Sequence, residues 1–159
     1  MIHFDFVVEA IDAENILSII HERLCIYLKH GLDILKDSSL SEDEKSDALD
    51  RNEEMVEYYE NLKCQMLTIK EDRWVHFNFS VDDSDAVNIL ACMDYAILKC
   101  QLDYMKFRDK NTQPSFVRLV EVDRYLTWFQ NHLRYLRELK MRMAHDGGER
   151  LLQLCIACE

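Results

Sequence analysis

Phe4-Asp5-Phe6-Val7-Val8-Glu9-Ala10-Ile11-Asp12-Ala13-Glu14-Asn15-Ile16-Leu17 returns as Phe77-Asn78-Phe79-Ser80-Val81-Asp82-Asp83-Ser84-Asp85-Ala86-Val87-Asn88-Ile89-Leu90. At a constant offset of 73 the two copies share Phe, Phe, Val, Asp, Ala, Asn, Ile and Leu, and His3 falls on His76. Each copy opens with apolar residues at every second position, which is the period of a strand buried on one face. Phe4, Phe6 and Val8 form that face in the first copy, and Val75, Phe77, Phe79 and Val81 in the second. His3, Asp5 and Val7 fall on the opposite face of the first strand, with His76 as the repeat partner of His3.

After each strand the period changes to three and four residues, that of an amphipathic helix. Ala13, Ile16, Leu17, Ile20, Leu24, Tyr27, Leu28, Gly31 and Leu35 follow it in the first copy. Ala86, Ile89, Leu90, Met93, Ala96, Ile97, Cys100, Tyr104 and Phe107 follow it in the second. Asp12 and Asp85 are expected as N-caps, with Asn15 and Asn88 three residues on in capping-box positions. Capping is the simpler account of these repeated Asp/Asn pairs than a polar site.

A second helix completes each unit. Ser41-x-x-Glu44 is a capping-box signature, and a helix from Glu42 to about Asp72 would bury Leu49, Val56, Tyr59, Leu62, Met66 and Ile69. In the second copy Pro114 suits a first turn, and a helix over about Ser115–His145 carries Leu119, Val122, Leu126, Phe129, Leu133, Leu136, Leu139 and Met143. Tyr58-Tyr59-Glu60-Asn61 falls on Trp128-Phe129-Gln130-Asn131 at an offset of 70. Gly147-Gly148 stops the last long helix, and the tail Leu151-Leu152-Gln153-Leu154-Cys155-Ile156 is apolar enough to dock.

These readings predict an α+β fold, mostly helical. A strand-helix-helix unit is used twice (β-α-α-β-α-α), with two central strands covered by four long helices. One compact domain is expected over residues 1–159, built from repeats 1–73 and 74–146 with a short apolar tail, 147–159. A half of this size has too little core to stand alone.

Of 159 residues only 3 are Gly and 1 is Pro, so a phosphate cradle of glycines cannot be built. No Gly-x-Ser-x-Gly elbow or His-Glu-x-x-His pair occurs either. No catalytic residue, cofactor site or metal site is assigned. Cys155-x-x-Cys158 has the spacing of a zinc or redox pair, but no second such pair accompanies it. Cys25, Cys64, Cys92 and Cys100 lie within apolar helical patterns and read as reduced core thiols. Asp5 and His3 share a strand face and are the one site-like pairing the pattern brings together.

The net charge of −11 is uneven. Residues 1–73 hold 18 acids and 8 bases, and 74–159 hold 12 acids and 11 bases. Ten acids between Asp37 and Glu60 face only Lys45 and Arg51. Asp43, Asp47, Asp50, Glu54 and Glu57 recur on one helix face, a field that repels nucleic acid and attracts a basic protein surface. Arg134, Arg137, Lys140 and Arg142, with His132, make a basic run near the end of the last long helix.

No basic leader precedes the first apolar residues, and no apolar stretch approaches a membrane span, so a cytoplasmic location without membrane contact is expected. The leading function is a small, non-enzymatic, acidic binding protein that masks or inhibits another macromolecule. Toxin-neutralising immunity proteins and phage inhibitors that evade antiviral defence are of this type. Two alternatives stand beside it: a small-molecule binder or enzyme in a cleft between the repeats lined by Tyr58, Tyr59, Tyr125, Trp128 and Phe129, and a structural homodimerisation module.

Overall fold

The computed structural model describes residues 1–66, 69–71, 73–111 and 116–157. In chain order the elements are β1 (Ile2–Glu9), α1 (Ala10–Lys36), α2 (Glu42–Gln65), β2 (Ile69–Glu71), β3 (Trp74–Val81), α3 (Asp83–Lys110), α4 (Phe116–Asp146) and α5 (Gly148–Ala157). The chain is therefore mostly helical, with five helices and one small sheet among the described residues. It divides into two compact units, Met1 with His3–Asp85, and Ile2 with Ala86–Glu159.

In the first unit the sheet has the order β1-β3-β2. β2 pairs antiparallel with β3 in the register Ile69↔His76, Lys70↔Val75 and Glu71↔Trp74. On the other edge of β3, Phe4 stacks on Phe79 and Phe6 on Phe77, at centroid distances of 5.0 and 5.1 Å. The reversed order of these partners means that β1 and β3 also run antiparallel. The alternation expected of both strands is observed, with every second side chain buried. Phe4 and Phe77 are fully enclosed, because the only face that could leave water is the one carrying the rings.

The third strand is a departure from the expected two. The helix anticipated as far as Asp72 ends at Gln65, where the Met66 N–H reaches the carbonyls of Leu62 and Cys64. Ile69, placed in its apolar stripe, instead joins the sheet opposite His76. The edge of β3 left open by β1 offers a row of backbone donors and acceptors, and three residues of β2 satisfy part of it. The fifth helix is the other addition. The apolar tail forms α5, entered through Gly148 at φ 83°, a left-handed conformation that favours glycine. Gly147 closes α4 by donating to the Met143 carbonyl, as a helix stop should.

Helix starts also shift. α1 begins at Ala10, so Asp12 lies in its first turn and does not cap it. The residue before the helix is Glu9, whose side chain makes no capping bond, while the Ala10 N–H finds the Arg73 carbonyl at 2.7 Å. In the second copy the cap is Asp82, which accepts from the Asp85 backbone N–H and from the Ser84 hydroxyl, both at 2.8 Å. These bonds hold the Asp82 carboxyl below its ordinary range, the Asp85 backbone bond contributing most. Asp85 is left to accept from the Tyr58 hydroxyl at 2.7 Å. Both helices start early because the strand runs into the helix with hardly a linker.

α1 packs on α2, with Gly31 beside Asn52 and Tyr27 stacked on Tyr59 at 5.6 Å, and Ile16, Ile20, Leu24 and Ile34 of α1 are buried. Leu28 and Leu35, expected in this stripe, are exposed. A helix of 3.6 residues per turn drifts past a fixed neighbour, and over 27 residues the buried position moves from Leu35 to Ile34. In the second unit α3 buries Ala86, Ile89, Leu90, Cys92, Met93 and Cys100, and α4 buries Leu133, Leu136, Leu139 and Met143. Tyr104 and Phe107 of α3 meet Phe129 of α4 at 6.3 and 6.0 Å. Leu119, near the start of α4, is exposed rather than buried as its spacing suggested.

Two of the four helix cysteines meet the expectation of burial and two do not. Cys92 and Cys100 are buried, and burial raises the Cys100 thiol pKa with Asp103 adding to it. Cys25 and Cys64 are exposed. They sit one and two residues beyond Leu24 and Leu62, which turns them about 100° and 200° from the buried stripe. Cys158 lies outside the described residues, and with it the Cys155-x-x-Cys158 reading.

A candidate protein-binding face on α2

The first turn of α2 is fixed by a reciprocal box. The Ser41 hydroxyl accepts from the Glu44 N–H at 3.3 Å, while the Ser41 N–H and hydroxyl donate to Glu44 Oε2 at 2.9 and 2.7 Å. The bonds from Ser41 lower the Glu44 pKa, the backbone one foremost. Glu42, Asp43 and Glu44 in this turn also complement the positive end of the helix dipole. Ahead of the helix, Asp37 Oδ1 accepts from the Ser39 hydroxyl and N–H at 2.6 and 2.8 Å, which lowers its pKa in that order.

Downstream of the box, α2 is two-sided. Asn52, Tyr59 and Leu62 are buried, whereas Asp43, Asp47, Asp50, Glu54 and Glu57 are all exposed. At 100° per residue these five carboxylates fall within one narrow sector, on the side away from Asn52 and Tyr59. From Asp43 to Glu57 they run along roughly 21 Å of helix axis. Among the described residues none of the five enters an ion pair. The two bases of the region are turned elsewhere: Lys45 sits 3.5 Å from Glu42, and Arg51 Nε donates to the Asp47 carbonyl at 3.1 Å. The face thus keeps its charge uncompensated, so its potential reaches into solvent over about a Debye length.

The outer face of the sheet does carry polar pairs, though not the expected one. Asp5 meets His76 Nε2 at 2.6 Å, and His3 Nδ1 meets the Ser80 hydroxyl at 2.9 Å. Asp5 and His3 are neighbours on β1 but are not each other's partners. In antiparallel pairing His3 lies across from Ser80 and His76 across from Val7, which separates the two histidines by about 13 Å along the strands. Both pairs are solvent-exposed on an open sheet surface.

The basic run of α4 is split by its neighbours. Lys140 pairs with Asp94 of α3 at 2.6 Å, and His132 stacks between Trp128 at 5.0 Å and Tyr135 at 6.0 Å. Burial lowers the His132 pKa. Arg134, Arg137 and Arg142 line a shallow surface depression with Leu133, Glu138 and Met141. Of the aromatic residues expected to line a cleft, Tyr58 and Tyr59 belong to the first unit, and Tyr125, Trp128 and Phe129 to the second.

Among the described residues no group of three or more His, Cys, Asp or Glu side chains is arranged to hold a metal ion. No described helix is long and apolar enough to cross a membrane. Compared with protein-family models, curated proteins and solved structures, the chain has no match.

Proposed function

We propose that this is a non-enzymatic, cytoplasmic acidic binding protein that masks a basic surface on a protein partner, in the manner of a toxin-neutralising or anti-defence inhibitor. The observation that carries this reading is the α2 face, five exposed carboxylates on a helix whose opposite side is committed to packing. A rigid row of like charges steers a complementary basic surface into contact and fixes its register. Capping by Ser41 and packing by Tyr59 and Leu62 hold the row straight without using any of the five.

Replacing Asp43, Asp50 and Glu57 with Lys tests the reading. The variant should keep the melting temperature of the wild type, since it relieves like-charge repulsion along the face. It should lose capture of the basic partner recovered from native lysate by the wild-type protein. Wild-type affinity should fall as salt rises from low to physiological ionic strength, where the screening length is about 8 Å. A folded variant with unchanged affinity and unchanged salt slope would reject the α2 face as the binding surface.

We also propose that the chain arose by duplication of a strand-helix-helix unit and forms one domain from its two copies. Support comes from ring geometry within β1 and β3. Phe4 and Phe6 are 6.4 Å apart at 72°, and Phe77 and Phe79 are 6.3 Å apart at 71°. The cross-strand pairs Phe4–Phe79 and Phe6–Phe77 exchange under the offset of 73, as a local twofold between Asp5 and Asn78 requires.

A further inference from the structure

Between α1 and α2, away from the acidic face, lies an open groove of about 520 Å³. Ile34, Leu40, Ala48 and Met55 supply its aliphatic lining, and Asn52 contributes its one deeply placed polar side chain. Asn52 is 9% exposed, and its Oδ1 is buried without a hydrogen-bond partner. Gly31 lies directly across from it, where an added Cβ would stand 2.9 Å from Asn52 Nδ2. A side chain at residue 31 would therefore push Asn52 aside, so the glycine keeps the amide in place. An unmet buried acceptor is costly to the fold, and a ligand that donates to it recovers that cost.

The rim defines the rest of the ligand. Asp33 and Asp37 line the groove one helical turn apart, and Asp37 uses Oδ1 for Ser39. Arg51, the basic residue of the lining besides His30, has its Nε held by the Asp47 carbonyl and keeps its charge, so two aspartates stand against one guanidinium. A ligand that matches these groups offers a donor to Asn52, an aliphatic stem along Ile34, Leu40 and Met55, and positive charge beside Asp33 and Asp37. The lining keeps a negative excess, Asp33 and Asp37 against Arg51, which disfavours phosphates and carboxylates. We infer that the groove between α1 and α2 is a binding site for a small aliphatic diamine or polyamine, with one amine donating to Asn52 Oδ1 and another facing Asp33 and Asp37. The size lies within the usual range for small-ligand sites, and its openness lets each ammonium keep part of its hydration.

Titration calorimetry of the full chain with cadaverine tests this, alongside backbone amide NMR shifts. Cadaverine should saturate at one site per chain, moving amides of residues 27–37 and 48–55. Pentanediol and glutarate, of similar length but neutral and anionic, should not bind. Asn52→Leu should weaken cadaverine roughly ten-fold, the loss of one hydrogen bond to a charged group. Asp33→Asn provides a second variant away from the packed helix contact and should also weaken binding several-fold. The triple Lys variant of the outer α2 face should bind cadaverine as the wild type does, which separates this site from the protein-binding face. Absence of saturable binding, undiminished binding in both Asn52→Leu and Asp33→Asn, or loss of binding only in the triple Lys variant would each overturn the inference. The last of these would mark cadaverine as a diffuse counterion of the acidic surface.

Discussion

The four phenylalanines of β1 and β3 allow a quantitative test of how the sheet is held together. Phe4 and Phe77 are 0% exposed, and Phe6 and Phe79 are 7% exposed, so burial itself follows the repeat. Truncating any of them to Ala costs about 3–5 kcal/mol, a large part of the roughly 5–15 kcal/mol that stabilises a domain. Leu is the better probe, because it keeps an apolar side chain and should cost about 1–2 kcal/mol per site. The stacked pairs should then show coupling beyond their single costs. Phe4→Leu with Phe79→Leu, and Phe6→Leu with Phe77→Leu, should each give a coupling energy of about 0.5–1.5 kcal/mol. The two values should agree within about 0.5 kcal/mol, because the ring pairs have nearly the same separation and tilt. Phe4→Leu with Phe77→Leu, for which no direct ring contact is described, should be closer to additive. Urea unfolding of the wild type and each single and double variant supplies the cycles, with the slope checked for constancy. Additive behaviour in both stacked pairs would refute ring contact as a source of sheet stability. A large coupling in one pair and none in the other would refute the local twofold.

Leu62→Ala should destabilise by about 2–5 kcal/mol, whereas Leu28→Ala should stay within about 0.5 kcal/mol, because Leu62 is buried and Leu28 faces solvent; chemical denaturation separates the two. Gly148→Ala should cost about 1–2 kcal/mol through its left-handed backbone, and loss of amide protection confined to α5 would localise the effect. Acidification should lower the melting temperature in two stages. His132 is held below its ordinary 6.5 by burial, so its contribution is present above that value and is lost as pH falls towards the lowered pKa; His132→Gln should remove this stage. Asp37, Glu44 and Asp82 are lowered from ordinary values of 3.8, 4.5 and 3.8, so theirs is present above that range and lost below it; Asp82→Asn, which still caps, should shrink this second stage. Melting curves from neutral pH to about pH 3 would show both, and a flat profile would contradict the assignments.

The sequence by itself determined what depends on neighbours along the chain. Alternating rings at Phe4, Phe6, Phe77 and Phe79 specify strands because successive side chains point to opposite faces. Three- and four-residue spacing from Ala13 and Ala86 specifies helices for the same kind of reason. Ser41 and Glu44 cap α2 with groups three residues apart, and the five exposed acids follow from one helical angle. Tertiary structure decided everything that depends on which surface lies opposite. β2 exists because an edge of β3 was available to a segment that reads locally as helix. Leu28 and Leu35 are exposed because α2 meets α1 along a line that the helical period does not follow for 27 residues. Asp5 meets His76, and not the His3 beside it, because strand register sets cross-strand neighbours. The groove at Asn52 was the least legible feature of all. Nothing near Asn52 or Gly31 in the chain signals it, since a buried acceptor and the space before it arise only when two residues 21 apart in sequence, on successive helices, come together.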